Sequence, residues 1–508
     1  MNFLLKNLSL PISEQLNITE HIKSKFGFVV SNNDCVKIVK RAIDARKKNH
    51  LKFIYTLSLQ TDKKIQPHND IVIQFEVIKN EVLKPPKPFT PFIIGMGPAG
   101  LFTALQLVKY GYKPYLFDRG DDIDTRKKKI DDFWQTKNLD PNSNVQFGEG
   151  GAGAFSDGKL TARTHNFETD EVFDYLIKFG ADPDISINAL PHIGTDNLII
   201  LIKKIKNFLS ESGCKFFYNH KLNDITIENS KVKQIKINDQ IYEPEIVVLA
   251  VGNGARDVFT LCNERNIQIE NKSFAVGLRI EHNIDYINHT FYGDKNEFDI
   301  TGPATYKLTS KTAYSFCMCP GGYVIPAHCE SDGQVVNGMS FSARDNNFSN
   351  SAIVVGVNCE QFLNNPLGGI EFQRQLEKTF FHKFIAPAQN VKDFMNNKSS
   401  KNLFKNSYYH DVTPINFHDK LPKFISEAIT MAMIDFDKKY NGFINNGLFI
   451  GVETRTSSPI RIIRNSDTLH CVGITNLYPA GEGSGYAGGI ISSAVDGIKI
   501  AKAIISTA

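Results

Sequence analysis

No stretch of this 508-residue chain approaches the ~18 consecutive apolar residues that a bilayer-spanning helix needs, so no membrane span is expected. The start, residues 1–11, breaks its apolar patch with Lys6 and offers no small-residue cleavage pattern, so no signal peptide is expected either. Cysteine is sparse. Eight residues stand scattered at 35, 214, 262, 317, 319, 329, 359 and 471, which excludes a secreted disulfide framework and makes a reducing cytoplasm the expected compartment. No Gly-x-Ser-x-Gly, His-Glu-x-x-His or Walker-type run is present, so nothing points to hydrolysis or to use of a nucleoside triphosphate. There is no internal repeat. A net charge of +4 is too small to imply a polyanionic partner for the whole chain.

What the chain does have is one dense glycine segment in informative surroundings. Phe92, Ile93 and Ile94 form an apolar run ending in Gly95, Met96, Gly97, Pro98, Ala99 and Gly100. Leu101, Ala104, Leu105, Leu107 and Val108 follow with helical spacing, and a second apolar run over 114–117 ends in Asp118. This is the strand, glycine turn, helix, strand and acid order of a dinucleotide-binding unit. Gly95 suits the tight turn, and Gly97 lets the backbone approach a pyrophosphate. Gly100 keeps the helix close to the sheet. Pro98 and Ala99 open a helix whose free N–H groups can face phosphate, and Asp118 can accept from a ribose hydroxyl.

The composition, 42% hydrophobic and 22% charged, fits a globular protein with core enough for two or three domains. Residues 1–83 read as a small α+β module with helices over 18–26 and 35–48 and strands over 51–60 and 71–79. Lys84, Pro85, Pro86, Lys87 and Pro88 stiffen a linker over 84–90. Residues 1–85 carry 14 Lys/Arg against 8 Asp/Glu, whereas the remainder carries 44 against 46. A solvated face accounts for that basic excess, and so does a contact with RNA or an acidic protein. Further on, a helix is expected over 198–209 and short strands over 215–219, 224–227 and 233–237. The wholly apolar run 246–251, ending in Gly252, suits the buried centre of a parallel sheet. Residues 273–446 read as an inserted, mainly β substrate domain with surface loops over 345–351 and 396–407. A glycine-rich turn and a helix over 489–505 close the chain. The expected fold is α/β: a Rossmann-like domain made of 91–272 and 447–508, the insertion over 273–446, and the N-terminal module.

Only one complete glycine unit is present, because Gly252, Asn253 and Gly254 are followed by Asp257 where a third glycine would be required. A single nucleotide fold with a late glycine segment points to a bound flavin dinucleotide, FAD, and away from a separate NAD(P)H domain. NADH or NADPH can still dock transiently. The stretch Gly148-Glu149-Gly150-Gly151-Ala152-Gly153-Ala154-Phe155-Ser156-Asp157-Gly158-Lys159 leaves its backbone free to press against a flat ring or a diphosphate. Ser156 and Lys159 can bond phosphate or ribityl oxygens. Over essentially its whole length the chain resembles the FAD-dependent dehydrogenase-like proteins of bacteria and plastids, which are related to the glutathione-reductase-type flavoproteins. Segments 95–100, 118–120, 147–160, 316–322, 451–461 and 478–489 carry the resemblance. It implies that Glu482, after Ala480 and Gly481, takes the place of a ribityl-bonding acid that is usually Asp. It also implies that Gly488, Gly489 and Ile490 aim the last helix at the ring, and that Gly252 ends the strand beneath the ADP half. Arg119, in the segment 118–120 that carries the resemblance, is a candidate cofactor contact, and Arg126 can reach the pyrophosphate, although in Arg126-Lys127-Lys128-Lys129 it also reads as a solvated residue.

Beside a flavin the protein must chiefly position and polarise. Arg455 and Arg461 can grip a carboxylate or phosphate, and Glu453 can carry a proton, or the three can form an internal ion-pair cluster. Cys319, next to Cys317, reads as a packed thiol or as a thiol close to the flavin. A metal cluster with His328 and Cys329 fits no common spacing, so no metal is expected. His192 is a candidate proton donor or a satisfied turn residue. Tyr478 and Tyr486 are candidate ring covers or core aromatics. The expected function is an FAD-dependent oxidoreductase that passes a hydride between a small, anionic substrate and the flavin, with an external electron partner. The rivals are a flavoprotein docking RNA through residues 1–83 and a non-catalytic flavin-bound redox sensor.

Overall fold

The computed structural model describes residues 1–14, 17–74, 89–161, 166–294, 298–362 and 364–507. The expected proline linker falls almost wholly outside them, as does the end of the expected strand over 71–79.

At the centre is a five-stranded parallel sheet in the order Leu477–Pro479, Ile246–Leu249, Pro91–Ile94, Tyr115–Phe117, Lys215–Phe217. Alternation explains why these short strands are apolar throughout. Ile93, Leu116 and Val248 enter one core, under the helices Pro98–Lys109, Thr195–Glu211 and Ile490–Thr507. Phe92, Ile94, Phe117, Val247 and Leu249 enter another, with the helix Arg256–Glu264 and the antiparallel meander of Leu222–Glu228, Lys231–Ile237 and Gln240–Tyr242. A sheet buried on both faces needs no polar side.

The second sheet has six strands, ordered Tyr314–Cys319, Phe348–Val357, Phe274–Asn283, Leu448–Glu453, Ala386–Asn390, Val412–Pro414. Its long central strand divides its side chains. Val276, Leu278 and Ile280 pack into a core with the helix Lys423–Lys439, while Arg279 and Glu281 point to the opposite face. The expected return to the nucleotide domain at 447 falls too early, because Leu448–Glu453 is a strand of this second sheet. The chain rejoins the parallel sheet only at Leu477–Pro479.

Two further sequence expectations give way. Residues 35–44 form a strand, Cys35–Asp44, paired with Lys52–Gln60, and not the start of a helix. A register shift between Ile38 and Lys40 breaks the alternation, so Val36, Val39 and Ile43 acquire a helix-like spacing. The edge of this strand docks on the body of the protein: Arg41 N–H donates to the Ile187 carbonyl at 2.7 Å, and its guanidinium pairs with Asp184 at 2.8 Å. Residues 348–351, expected in a surface loop, begin the buried strand Phe348–Val357. Their polar side chains are paid for by partners. Ser349 Oγ accepts from Gly321 N–H at 3.2 Å, Asn350 Oδ1 accepts from Arg279 at 2.7 Å, and Ser351 Oγ meets Tyr306 OH at 2.9 Å.

Gly277 lies where the two central strands touch, and a Cβ there would stand 1.9 Å from the Ile353 carbonyl oxygen. Gly277→Ala is therefore expected to force the strands apart and cost about 2 kcal/mol or more, read as a lower urea midpoint with an unchanged slope.

Candidate functional site

A cleft of about 350 Å3 follows the C-terminal ends of the parallel strands. At one end stands the glycine turn. Gly95 has φ +106°, and a Cβ on it would meet the Ala250 carbonyl oxygen at 2.2 Å, so only glycine fits between the neighbouring strands. Gly97 then opens the helix Pro98–Lys109, whose first-turn amides have no carbonyl partner within the helix. The Asp118 carboxylate accepts from Met96 N–H and Gly120 N–H, both at 2.9 Å, which fixes it at the end of Tyr115–Phe117 with lone pairs left over. Gly95, Gly97, Pro98, Ala99, Asp118 and Arg119 line the cleft. Arg119 lies 4.3 Å over the Phe147 ring and pairs with Asp257 at 2.8 Å. Gly100 lies behind the surface, where a Cβ would meet the Gly95 carbonyl oxygen at 2.0 Å.

The glycine-rich loop forms one wall, and Arg126 holds it. That side chain is fully buried and does not reach the cleft, contrary to the expectation that it contacts phosphate. Nε donates to the Asn144 carbonyl at 2.9 Å and Nη2 to that of Val145 at 3.0 Å. Nη1 donates to the carbonyls of Gly148 (3.2 Å), Glu149 (2.6 Å) and Gly151 (3.0 Å). Burial pulls its pKa down to about 10, with Asp118 and Glu149 opposing, so it stays charged at neutral pH. Gly150 is likewise structural: its N–H donates to the Met96 carbonyl at 2.9 Å and a Cβ would strike Ile202 at 2.4 Å. Gly151, Ala152, Gly153, Ser156 and Lys159 do line the cleft.

The opposite wall carries Gly252, Asn253, Glu482, Gly488, Gly489 and Ile490. A Cβ on Gly252, Gly488 or Gly489 would meet nothing within 4 Å, so all three border open space. Gly481 sits behind, its N–H on Asp496 at 2.7 Å. Glu482 accepts from Asn253 Nδ2 at 2.9 Å, and burial pushes its carboxyl up to about 7 against the pull of Lys272.

Beyond the loop lies a buried polar network that the sequence only partly disclosed. Asp157 pairs with Lys159 (2.9 Å) and Arg344 (2.7 Å), accepts from Ser340 Oγ (2.7 Å), and has His192 Nε2 at 4.0 Å. Arg279 grips Glu453 through two bonds of 2.6 and 2.8 Å. Cys317 lines the cleft between these groups; Cys319 is buried behind it, with its thiol on the Cys317 carbonyl at 3.3 Å. Both thiols are free. The neighbouring Cys319, then Lys159 and Arg279, hold the Cys317 thiol below the usual thiol range against burial. Burial raises the Cys319 thiol.

Several expected catalytic roles meet a different geometry. Glu453 and Arg455 reach the cleft, but each is committed: Arg455 bonds Glu377 at 2.9 and 3.2 Å and contacts Cys329 Sγ. Arg461 lies outside the cleft, on Glu270 at 3.2 Å. His192 does not line it; burial, and then Arg344, lower its pKa to about 4, so it is neutral at pH 7. The cysteine that lines the cleft is Cys317, not Cys319. Tyr478 is core, and Tyr486 lies under Arg464 at 3.7 Å. Asp157, Arg279, Arg344 and Asn337 escaped notice, although an arginine inside the apolar run 274–280 was a readable signal. Among the described residues no group of three or more His, Cys, Asp or Glu is placed to hold a metal, and no helix is long and apolar enough to cross a membrane.

Residues 273–456 match the family model described as FAD-dependent protein, C-terminal domain-like. A Clostridium beijerinckii protein, described as uncharacterized, is 40% identical over 523 residues, covering 99% of this chain and 98% of its own. Among solved structures, a geranylgeranyl bacteriochlorophyll reductase-like protein from Thermoplasma acidophilum overlaps at 12% identity and TM-score 0.37, over 82% of this chain and 78% of that one. An L-proline dehydrogenase from P. horikoshii does so at 12% identity and TM-score 0.35, over 83% and 94%. Overlaps this loose leave the cofactor to be argued from the site itself.

Arg126→Met should strand five buried carbonyls and destabilise the chain by at least about 3 kcal/mol in urea, with the glycine-rich loop becoming the first site of proteolysis. The raised Glu482 carboxyl makes a pH prediction. Its folded pKa, about 7, lies above the usual carboxylate value of 4.5, so the folded chain favours the protonated form. The stability it confers is present below about 4.5 and is lost as pH rises through 7. Glu482→Gln should flatten the pH dependence of the thermal midpoint between those values in cofactor-free protein.

Proposed function

The chain belongs to one family with its Clostridium relative, with residues 273–456 matching an FAD-dependent protein model, and on that premise we propose that it is an FAD-dependent oxidoreductase. The observation that carries this reading is the cleft itself. It joins a carboxylate, two helix N-termini and a run of glycines in the order that ribose, pyrophosphate and flavin ring require. Asp118 would accept from the adenosine ribose, with Phe117, Leu222 and Val258 beyond it forming an apolar seat for adenine. The N–H groups of Gly97 and Ala99 would meet the pyrophosphate, with Gly151 packed beside Gly97. Gly488 and Gly489 would place the start of the helix Ile490–Thr507 against the ring, where its partial positive charge favours electron density on that edge.

The cofactor, when bound, supplies two-electron redox chemistry. The chain supplies its surroundings. Asp157, Lys159, Arg279 and Glu453 form a fixed array of charges, and because each is already paired they can polarise a substrate without rearranging. With Arg344 also on Asp157, three cations face two carboxylates, and that one-charge excess favours a small anionic substrate. Hydride would pass between that substrate and the flavin, and a dehydrogenase using a separate electron acceptor is the form favoured. A pyridine nucleotide would have to dock transiently, since the described residues form a single nucleotide-type parallel sheet.

Purified protein is expected to be yellow and to release FAD on denaturation, identified by chromatography and mass. Gly97→Val tests the placement. Gly97 has ordinary extended backbone, and a Cβ there finds only the Gly151 Cα at 3.6 Å, so the unfolding free energy in urea should stay within about 0.5 kcal/mol of wild type. The added side chain would project into the cleft, and bound FAD should fall at least about 100-fold below wild type. Colourless wild-type protein that FAD cannot reconstitute would refute the reading.

A further inference from the structure

Each charged side chain around the ring end of the cleft already has a committed partner. Asp157 is shared by Lys159, Arg344 and Ser340, Glu453 is held by both arms of Arg279, and Arg455 by Glu377. Lys159 spends its ammonium on Asp157 and on the Met318 carbonyl. The hydroxyls nearby are also spent: Ser156 donates to the Gly153 carbonyl at 2.8 Å and Thr456 to that of Ala275 at 2.7 Å. Cys317 is different. Cys317 lines the cleft, is part-exposed and stands outside any ion pair, while the backbone around it is pinned. Its carbonyl accepts from Arg279 Nη1 at 3.2 Å and from the Cys319 thiol at 3.3 Å, and φ is +47°, a left-handed conformation rare for a side-chain-bearing residue. The pairing register of its strand breaks at the same place, between Phe316 and Cys319. A bulge of this kind re-aims a side chain.

We propose that Cys317 is a catalytic nucleophile of this cleft and that the site takes substrates bearing an electrophilic carbonyl carbon, namely an aldehyde. This rests on the cofactor reading above and narrows its substrate class. In the step assigned to it, the Cys317 thiolate forms an S–C bond to the carbonyl carbon. The C=O π pair moves to oxygen, which takes one proton from solvent; nothing is oxidised or reduced. An aldehyde carbon held in this way keeps the hydrogen that the oxidoreductase would then remove. The groups facing the sulfur fit a thiolate. Lys159 and Arg279 are cations, and the acids Asp157 and Glu453 are each neutralised by one of those cations.

The test is alkylation of the full-length, cofactor-loaded protein by iodoacetamide, with each cysteine followed by peptide mass mapping. Cys35 and Cys359 are exposed and serve as internal controls. At pH 6 an ordinary thiol is under about 1% thiolate, whereas Cys317 would be mostly ionised. Allowing for the weaker nucleophilicity of a low-pKa thiolate, Cys317 should react about tenfold faster than either control. Its rate should stay nearly level from pH 6 to 8 while theirs climb. Cys317→Ser should abolish the fast label and keep the visible flavin spectrum. Cys317 labelling no faster than the controls, or rising with pH as they do, overturns the proposal. A colourless protein with fast Cys317 labelling would instead defeat the cofactor reading and leave the thiolate standing.

Discussion

A wall of glycines cannot hold itself in place, and this cleft depends on the buried cation that does it instead. Residues 148–158 have few side chains to pack, and several of their backbone angles are open only to glycine. Arg126 resolves this by taking carbonyls from Asn144 to Gly151 onto one planar guanidinium. Five charge-assisted bonds to one rigid group fix a loop more firmly than the same number of separate contacts, because only one side chain has to be ordered. The loop can then present bare backbone to the cleft without becoming mobile.

The same logic, with opposite geometry, governs the other end. There the second sheet supplies Arg279 and Glu453 from neighbouring strands, and the glycine-rich loop supplies Asp157 and Lys159. Cys317 stands where these two pairs meet. The chemistry-bearing groups thus come from two sheets whose relative position is set by packing. Burying paired charges costs desolvation and contributes little net stability. Their arrangement at the cleft is explained by preorganisation, since an array already paid for in folding does not have to reorganise when charge shifts nearby.

How much of this could be read from the chain varied with how local the signal was. The glycine turn, the helix Pro98–Lys109, Asp118 and the apolar strand Ile246–Leu249 each carry their pattern within a dozen residues, and the parallel sheet assembled from them was legible. The strand Cys35–Asp44 was misread because one bulge converts a period of two into an apparent helical period. The strand Phe348–Val357 was misread because Ser349, Asn350 and Ser351 look solvent-seeking until Arg279 and Tyr306 are beside them. Arg126 shows the same limit. In sequence it heads a basic run, and only the fold turns it inward while Lys127, Lys128 and Lys129 stay outside.

The second sheet also explains why the segment around 451–461 looked catalytic. Glu453, Arg455 and Arg461 are close in sequence, but the chain leaves the sheet after Glu453, so the three side chains go to three places. Glu453 turns to Arg279 at the cleft, Arg455 to the Glu377 cluster beneath it, and Arg461 to Glu270 at the surface. Spacing along the chain grouped them; strand geometry separated them. Cys317 and Cys319 went through the converse. Two residues apart on a regular strand they would share one face, yet the break in register and the left-handed turn at Cys317 leave Cys317 lining the cleft and Cys319 buried behind it, its thiol on the Cys317 carbonyl. A one-residue departure from regular structure thus gives two similar thiols different chemistry.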